Sequence, residues 1–266
     1  MPHLKVNDIS MYYEIHGQGE PLVFIAGFSS DSTVWCELID HLKDKFQLIF
    51  FDNRGAGQTD IPDGPYSIDQ MANDVAALCS ALGIHQAHFV GNSMGGFILQ
   101  TLAFHYPKLV KSAIIGNSAA SIHTSFHIYL AAQLELIKAN TPFKSLIKAS
   151  CAWAFSYQFL AQPGKLEQLI QIGLDNPYPF TVKGYEGQYA ALEQFNSTSW
   201  LQKIQMPVMV LGSEEDLILI EKASKFLADH IPGAHYYCFM ECGHLPQLEY
   251  PEQFAKLVEE FIRPQT

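Results

Sequence analysis

Residues 89–96, which read FVGNSMGG, join a buried strand pattern directly to a helix pattern, and this junction constrains the fold more than any other feature of the chain. The apolar run 87–90 predicts a strand, and a helix is predicted from Met94 to about Tyr106. Between them, G-x-S-x-G predicts a sharp turn that holds the Ser93 hydroxyl above a sheet edge, where flanking glycines let neighbouring backbone approach. The pattern also occurs by chance in glycine-rich turns, but its position between a strand and a helix favours a nucleophilic serine.

Short apolar strand patterns alternate with helical periodicity at both ends of the chain, which predicts an α/β fold with a mainly parallel sheet covered by helices on both faces. The helix after Ser67 has clear limits, because a capping pair with Gln70 opens it and Gly83 ends it. A closing helix is predicted over residues 251–262. The predicted strands are 11–15, 22–26, 46–51, 87–90, 111–115, 208–211 and 235–239.

Residues 120–200 interrupt this alternation, because they contain helical patterns and no convincing strand. They hold 13 aromatic side chains in 81 residues, against 20 in the remaining 185. Their five lysines balance five acidic side chains, so the formal charge of −11 belongs to the rest of the chain. We interpret residues 120–200 as a helical insertion in a core formed by residues 1–119 and 201–266.

A serine nucleophile requires a base and an acid that orients the base, and in a strand–turn–helix arrangement these follow in the order Ser, acid, His. Asp216 follows the strand pattern 208–211 and is the predicted acid, with Glu215 as the competing candidate. His244 follows a glycine in the loop after the last predicted strand and is the predicted base. Neutral His244 would take the Ser93 proton at Nε2 and return it to the leaving group, while the acid would hold Nδ1–H.

Two backbone N–H groups beside Ser93 are predicted to form an oxyanion hole. Met94 supplies the first, because it opens a helix whose free N–H groups and positive dipole end face the turn. Phe28 supplies the second, because it follows the flexible Gly27 after the strand pattern 22–26. Each such donor typically contributes about 2.7 to 4 kcal/mol of transition-state stabilisation.

These motifs together resemble the α/β-hydrolase superfamily over essentially the full chain. Residues 51–60, FDNRGAGQTD, are similar to its D-x-R-G-x-G-x-S-D loop. Residues 243–246, with Glu249 and Pro251, are similar to its terminal G-H-x-P…E-x-P segment. The resemblance implies a mainly parallel eight-stranded sheet, a helical cap over the serine formed by residues 120–200, substrate entry between cap and sheet, and no metal or organic cofactor.

Two positions depart from the family pattern. Ala26 and Gly27 stand where His-Gly is common, so a contact normally available from that histidine is missing. Three residues rather than two separate Gly212 from Asp216, and this offset keeps Glu215 open as the acid.

Composition and charge exclude several classes of protein. A formal charge of −11 and a pI near 5.4 would repel a nucleic acid backbone, and no apolar run approaches the roughly 18 to 20 residues of a membrane-spanning helix. Residues 1–7 lack the apolar segment of a secretory signal, so we expect a cytoplasmic protein with reduced cysteines. Cys238 and Cys242 precede His244, but no fourth ligand stands at a recognisable spacing, so no metal site is predicted. The expected partner is a small-molecule ester, bound by a monomer or homodimer.

The leading hypothesis is hydrolysis of a carboxylic ester through an acyl-Ser93 intermediate, because Ser93, Asp216 and His244 form a complete set. The aromatic insertion predicts a small, largely apolar substrate, although most of these rings are expected to pack against one another. The predicted substrate-binding residues are Phe28, Asn92, Phe126, Tyr129 and Trp153.

Several other functions stay open. Asn92 also resembles the elbow of carbon–carbon hydrolases of ring-fission dienones, but those carry a cap arginine, and the two arginines, Arg54 and Arg263, lie outside the insertion. The missing cap arginine also weakens the hypothesis of an acyl-carrier-protein methyl ester esterase, although Lys144 and Lys148 could replace its positive charge in part. Lactone and enol-lactone hydrolysis use the same machinery. A non-catalytic ligand receptor with this fold would be expected to lose one of the three reactive side chains, and none is lost.

Overall fold

A computed structural model describes residues 2–263, which form one eight-stranded sheet with helices on both faces. The strands are β1 His3–Val6, β2 Ile9–His16, β3 Glu20–Ile25, β4 Phe46–Phe51, β5 Ala87–Asn92, β6 Val110–Gly116, β7 Val208–Ser213 and β8 His235–Phe239. Their order across the sheet is β1-β2-β4-β3-β5-β6-β7-β8. The pairs β1–β2 and β2–β4 are antiparallel and all others are parallel, so the predicted α/β fold with a mainly parallel eight-stranded sheet is confirmed.

The edge strand β1 is the one that the sequence patterns do not predict. His3 and Lys5 are exposed on it and only Val6 is buried, so the four residues lack the apolar alternation of a half-buried strand. The inner strands differ, because every residue of β5 and β7 is buried. Strands that are covered on both faces are continuous apolar runs in the sequence, and such runs predict the inner strands.

The helices are α1 Ile39–Leu42, α2 Ile68–Ala81, α3 Met94–His105, α4 Thr124–Lys138, α5 Phe143–Ala154, α6 Tyr157–Leu160, α7 Lys165–Asp175, α8 Val182–Gln194, α9 Glu221–His230, α10 Pro246–Glu249 and α11 Pro251–Ile262. Two 3₁₀ helices span Ser32–Leu38 and Leu201–Lys203. At the start of α2, Gln70 N–H donates to Ser67 Oγ at 3.1 Å, which is one of the two hydrogen bonds of the predicted capping box. Within residues 2–263, no helix is long and apolar enough to cross a membrane.

Each face of the sheet packs against its own apolar cluster. On one face, Phe89 and Phe97 lie among side chains of α2 and α3. On the other, Phe24, Phe50 and Trp35 pack with α11, and the Phe24 and Phe50 rings meet edge to face at 5.1 Å. Full burial of such a side chain contributes about 1.5 to 3 kcal/mol, so the sheet is a rigid support for the loops at its carboxyl edge.

The segment between β6 and β7 contains α4 to α8, and the described residues of 120–200, called the helical insertion below, contain no strand. Gln188 of α8 joins the insertion to two core loops. Its Oε1 accepts from Ser29 N–H at 2.8 Å, and its Nε2 donates to the Arg54 carbonyl at 2.9 Å. The outer limits of the predicted core, residue 1 and residues 264–266, lie outside the described residues.

Candidate active site

Ser93 occupies a strained turn between β5 and α3. Its φ of 57° and ψ of −123° are unusual for a residue with a side chain. The flanking glycines make the turn possible, because a Cβ on Gly95 would lie 2.0 Å from the Ile25 carbonyl oxygen, and a Cβ on Gly91 would lie 2.3 Å from the Gly95 carbonyl oxygen. The G-x-S-x-G spacing therefore reflects the close approach of β3, β5 and the first turn of α3.

His244 lies against Asp216, and several donors hold that carboxylate in place. Nδ1 of His244 is 2.7 Å from Oδ2 of Asp216, and both side chains are buried. Oδ1 of Asp216 accepts from the N–H groups of Ile218 and Leu219 at 2.8 and 2.9 Å, and Oδ2 also accepts from Asn117 Nδ2 at 3.0 Å. A carboxylate so fully bonded presents one fixed oxygen to the imidazole, which sets the ring orientation.

Glu215, the competing candidate for the acid, points elsewhere. Its Oε2 accepts from Tyr157 N–H at 2.8 Å, so this carboxylate bonds the helical insertion rather than the histidine. The backbone turn after β7 places adjacent acidic side chains on different sides, and the structure brings Asp216 to His244.

The loop that carries His244 is fastened to the insertion through Glu249. Oε1 of this carboxylate accepts from Gly243 N–H at 3.0 Å and from Ser156 N–H at 2.9 Å, while Oε2 accepts from the Ser156 hydroxyl. The His244 N–H donates to the Ala154 carbonyl at 2.7 Å. Burial raises the pKa of Glu249, and these donors oppose that rise. The position of His244 therefore depends on the corner between α5 and α6.

A cavity of about 380 Å³ lies between these loops and the insertion. Its floor consists of lining residues from the core segments 27–30, 92–93 and 244–247, which include Ser93 and His244. Its roof consists of lining side chains of the insertion. The roof is mainly apolar and includes Phe126, Tyr129, Leu146, Leu169, Ile172 and Phe180. Among the described residues, no Lys, Arg, Asp or Glu side chain lines the cavity.

The two predicted oxyanion donors belong to segments that meet at Ser93. A Cβ on Gly27 would lie 3.1 Å from the Ser93 Cβ, so the chain after β3 runs directly against the serine. Phe28 N–H has no hydrogen-bond partner among the described residues. Met94 is the first residue of α3, so its N–H has no acceptor within the helix. Both donors are therefore available to a ligand oxygen.

Four of the five predicted substrate-binding residues line the cavity, namely Phe28, Asn92, Phe126 and Tyr129. The fifth, Trp153, is not among the described residues that line the cavity. Its ring packs against the ring of Tyr129 at a centroid distance of 4.6 Å. The aromatic composition of α5 does not reveal which face of the helix each ring occupies.

Other residues of the site were missed. The lining positions of α5 include Phe143, Ile147, Ser150 and Ala154, and this spacing of three and four residues was a readable signal. Gln247 of the floor had no comparable signal, because its burial depends on distant parts of the chain.

Cysteine and metal-binding chemistry are two alternatives for the described residues around Ser93. Cys151 lines the cavity, but burial raises the pKa of its thiol to about 11, so it is protonated and weakly nucleophilic at neutral pH. Across residues 2–263, no group of three or more His, Cys, Asp or Glu side chains could hold a metal ion. Among the lining residues, Ser93 and His244 combine a hydroxyl in the strained turn with an imidazole held by a carboxylate.

Comparison with known proteins identifies the family of the chain. The family model described as alpha/beta hydrolase fold matches residues 20–251, and the chain belongs to this family. It is 30% identical to 3-oxoadipate enol-lactonase 2 of Acinetobacter baylyi, over 98% of this chain and 96% of that protein. The crystal structure of the enol-lactonase from Burkholderia xenovorans LB400 matches with a TM-score of 0.87 and 25% identity, over 98% and 99% of the two chains. An N-acyl homoserine lactone degrading enzyme matches with a TM-score of 0.84 and 28% identity, over 98% and 100%.

Proposed function

We propose that the protein is a serine hydrolase that cleaves uncharged carboxylic esters, including lactones, through an acyl-Ser93 intermediate. One observation carries this proposal: Ser93 and His244 line the same cavity, and Nδ1 of His244 lies 2.7 Å from a fully bonded Asp216. This combination provides a nucleophile, a base and an acid that orients the base.

In the proposed reaction, Nε2 of His244 accepts the Ser93 proton while Oγ attacks the substrate carbonyl carbon. The N–H groups of Phe28 and Met94 stabilise the oxyanion that forms. The resulting imidazolium, stabilised by Asp216, protonates the leaving alcohol oxygen as the carbon–oxygen bond breaks. A water molecule then attacks the acyl ester with the same base, and Ser93 leaves with the proton.

The charge of the lining restricts the substrate. Since no Lys or Arg among the described residues lines the cavity, a substrate carboxylate there would lose its hydration and gain no cationic partner from them. An enol-lactone made from the diacid 3-oxoadipate keeps one free carboxylate, so we do not assign the activity named for the Acinetobacter relative. An N-acyl homoserine lactone carries no charge, and its acyl chain suits an apolar roof. The missing cation also weighs against dienone cleavage.

The direct test is hydrolysis of 4-nitrophenyl esters from acetate to octanoate and of an uncharged lactone. Ser93→Ala should lower kcat by about 10⁶-fold, because the nucleophile and its base act as a unit. Ser150→Ala is the matched control, since Ser150 lines the same cavity from the roof, where its hydroxyl accepts from Tyr129. Its kcat should stay within a few-fold of the wild type.

Labelling by a serine-directed phosphonate separates an enzyme from a ligand receptor. We expect one phosphonyl group on Ser93, found by peptide mass analysis, together with loss of turnover. Ester hydrolysis that persists in Ser93→Ala, or a wild-type protein that neither turns over esters nor reacts with the phosphonate, contradicts the proposed function.

A further inference from the structure

Gln247 differs from the other fully buried glutamines of the core and insertion. Gln100 donates to the Gly96 and Ala119 carbonyls and accepts from the Ser197 hydroxyl. Gln188 bonds two core loops in the same way. Gln247 is 1% exposed, yet its Oε1 has no hydrogen-bond partner, and its amide takes part in no hydrogen bond among the described residues.

An unpaired amide in such a position is unfavourable for the fold, whereas leucine or methionine would fill similar space without a polar group. Gln247 is among the residues that line the cavity, so a ligand that reaches its amide can supply the missing partner. Ser29 Oγ and Asn92 Oδ1, also on the floor, are likewise buried without a partner among the described residues. Three unpaired polar groups on the floor, opposite a mainly apolar roof, indicate that the ligand is polar at the floor.

The position of Gln247 in the chain places it near the site where the leaving alcohol is expected. Gln247 lies three residues after His244, on the short helix α10 that continues the His244 loop. In the proposed reaction His244 returns its proton to the leaving oxygen, so the alcohol portion of the substrate lies beside this loop. The acyl portion then extends towards the roof, which consists mainly of apolar side chains.

We propose that the Gln247 amide binds a neutral hydrogen-bonding group, a hydroxyl or an amide, on the alcohol portion of the substrate. The inference rests on the proposed function and adds a specificity-determining residue to it. The side chain both donates and accepts, so its natural partner is a group that also does both. A carboxylate is a poorer partner, because it only accepts and because no lining cation would neutralise it. Preferred substrates are therefore neutral esters or lactones with an apolar acyl group and a hydroxyl- or amide-bearing alcohol portion.

The test compares two esters that differ by one group: 2-hydroxyethyl butanoate and propyl butanoate, with acid release followed by titration. The wild type should prefer the hydroxyethyl ester in kcat/KM by about tenfold, within the usual range for one hydrogen bond. Gln247→Leu should abolish that preference, and Gln247→Met should do the same if the leucine variant fails to fold. Gln133→Leu, the same change on the roof, should leave the ratio as in the wild type.

A second pair locates the polar group. Methyl 3-hydroxybutanoate and methyl 3-methylbutanoate place the same difference on the acyl side, and Gln247→Leu should leave their ratio unchanged. The proposal is overturned if this acyl-side ratio changes instead, or if wild type and Gln247→Leu share one ratio for the alcohol-side pair. Both results leave ester hydrolysis intact. If the wild type hydrolyses neither pair, the proposed function fails and this inference fails with it.

Discussion

The floor and the roof of the cavity are built by different means. Floor residues are fixed by backbone geometry and buried hydrogen bonds, as the strained Ser93 turn and the bonded Asp216 carboxylate show. Roof residues come from separate helices and hold one another mainly through apolar contact, and Ile172 is 61% exposed although it lines the cavity. From this difference we infer that the floor determines which bond is broken and binds the alcohol portion, while the roof determines which acyl portion is accepted. Changes on the two sides should therefore alter different kinetic constants.

After the loss of Ser93 itself, the largest effect is expected from Asp216→Asn, which acts on the floor through His244. The asparagine keeps the size of the side chain but cannot accept the His244 Nδ1–H in the same way, so the imidazole loses its orientation and its stabilised cation. We expect kcat to fall by about 10⁴-fold with little change in KM. Hydrolysis of 4-nitrophenyl butanoate measures both constants.

Glu215→Gln is the control for that variant, because Glu215 bonds Tyr157 N–H and does not contact the histidine. Its kcat should stay close to the wild type. An equal loss in the two variants would mean that Glu215 contributes as much as Asp216, contrary to the geometry of the floor.

Sequence patterns identified the floor better than the roof, for a physical reason. The requirements at Ser93 and His244 are local: a turn between glycines, and a loop after a strand. Asp216 and Glu215 are adjacent in one turn, so the sequence does not tell which carboxylate contacts the histidine. The folded backbone decides this, because it directs the two side chains to different partners. Trp153 packs against Tyr129 and is not among the described lining residues, and composition does not give the direction of a side chain on a helix.

Most of the strands could also be predicted from the sequence. Seven of the eight strands match a predicted run, because central strands are apolar on both faces. The missing strand, β1, owes its structure to pairing with β2 rather than to burial of its own side chains. Gln247 likewise has no local signature, since its burial arises from tertiary packing.

A second prediction concerns the link between the two sides. Glu249 bonds Gly243 on the His244 loop and Ser156 on the insertion. In Glu249→Gln the amide oxygen can still accept from the two N–H groups, but an NH2 group replaces the acceptor of the Ser156 hydroxyl, and the negative charge that strengthens all three bonds is lost. The loop should shift, and a misplacement of about 1 Å in a reacting group can cost about 10²-fold in rate. We expect a loss of that order in kcat with a smaller change in KM. Glu241→Gln, the same substitution at an exposed site of that loop, should keep wild-type kcat.

A lower kcat in Glu249→Gln could come from a shifted His244 loop or from partial unfolding of the protein. The pH dependence of unfolding distinguishes these two causes. Burial raises the pKa of Glu249 in the folded state above the ordinary value of 4.5. The unfolded chain therefore releases this proton first, and the contribution of the group to stability decreases as pH rises from 4.5 through the folded pKa. Glutamine does not titrate, so the variant should lack this decrease when urea unfolding is measured between pH 4.5 and 7.

The kinetic prediction has its own contradicting outcome. If Glu249→Gln keeps the wild-type kcat, the hydrogen bonds of Glu249 do not position His244.

The smallest effect is expected on the roof, from Leu169→Ala on α7. Leu169 lines the cavity, so truncation removes apolar contact from a long acyl chain and leaves short substrates nearly unaffected. A contact of one or a few methylene groups discriminates by about tenfold or more, so kcat/KM for 4-nitrophenyl octanoate should fall by about tenfold while that for the acetate changes little. Leu174→Ala on the same helix is the matched control, because Leu174 is 43% exposed and is not among the described lining residues. Equal losses for acetate and octanoate in Leu169→Ala would place part of the chemistry on the roof and remove the distinction between the two sides.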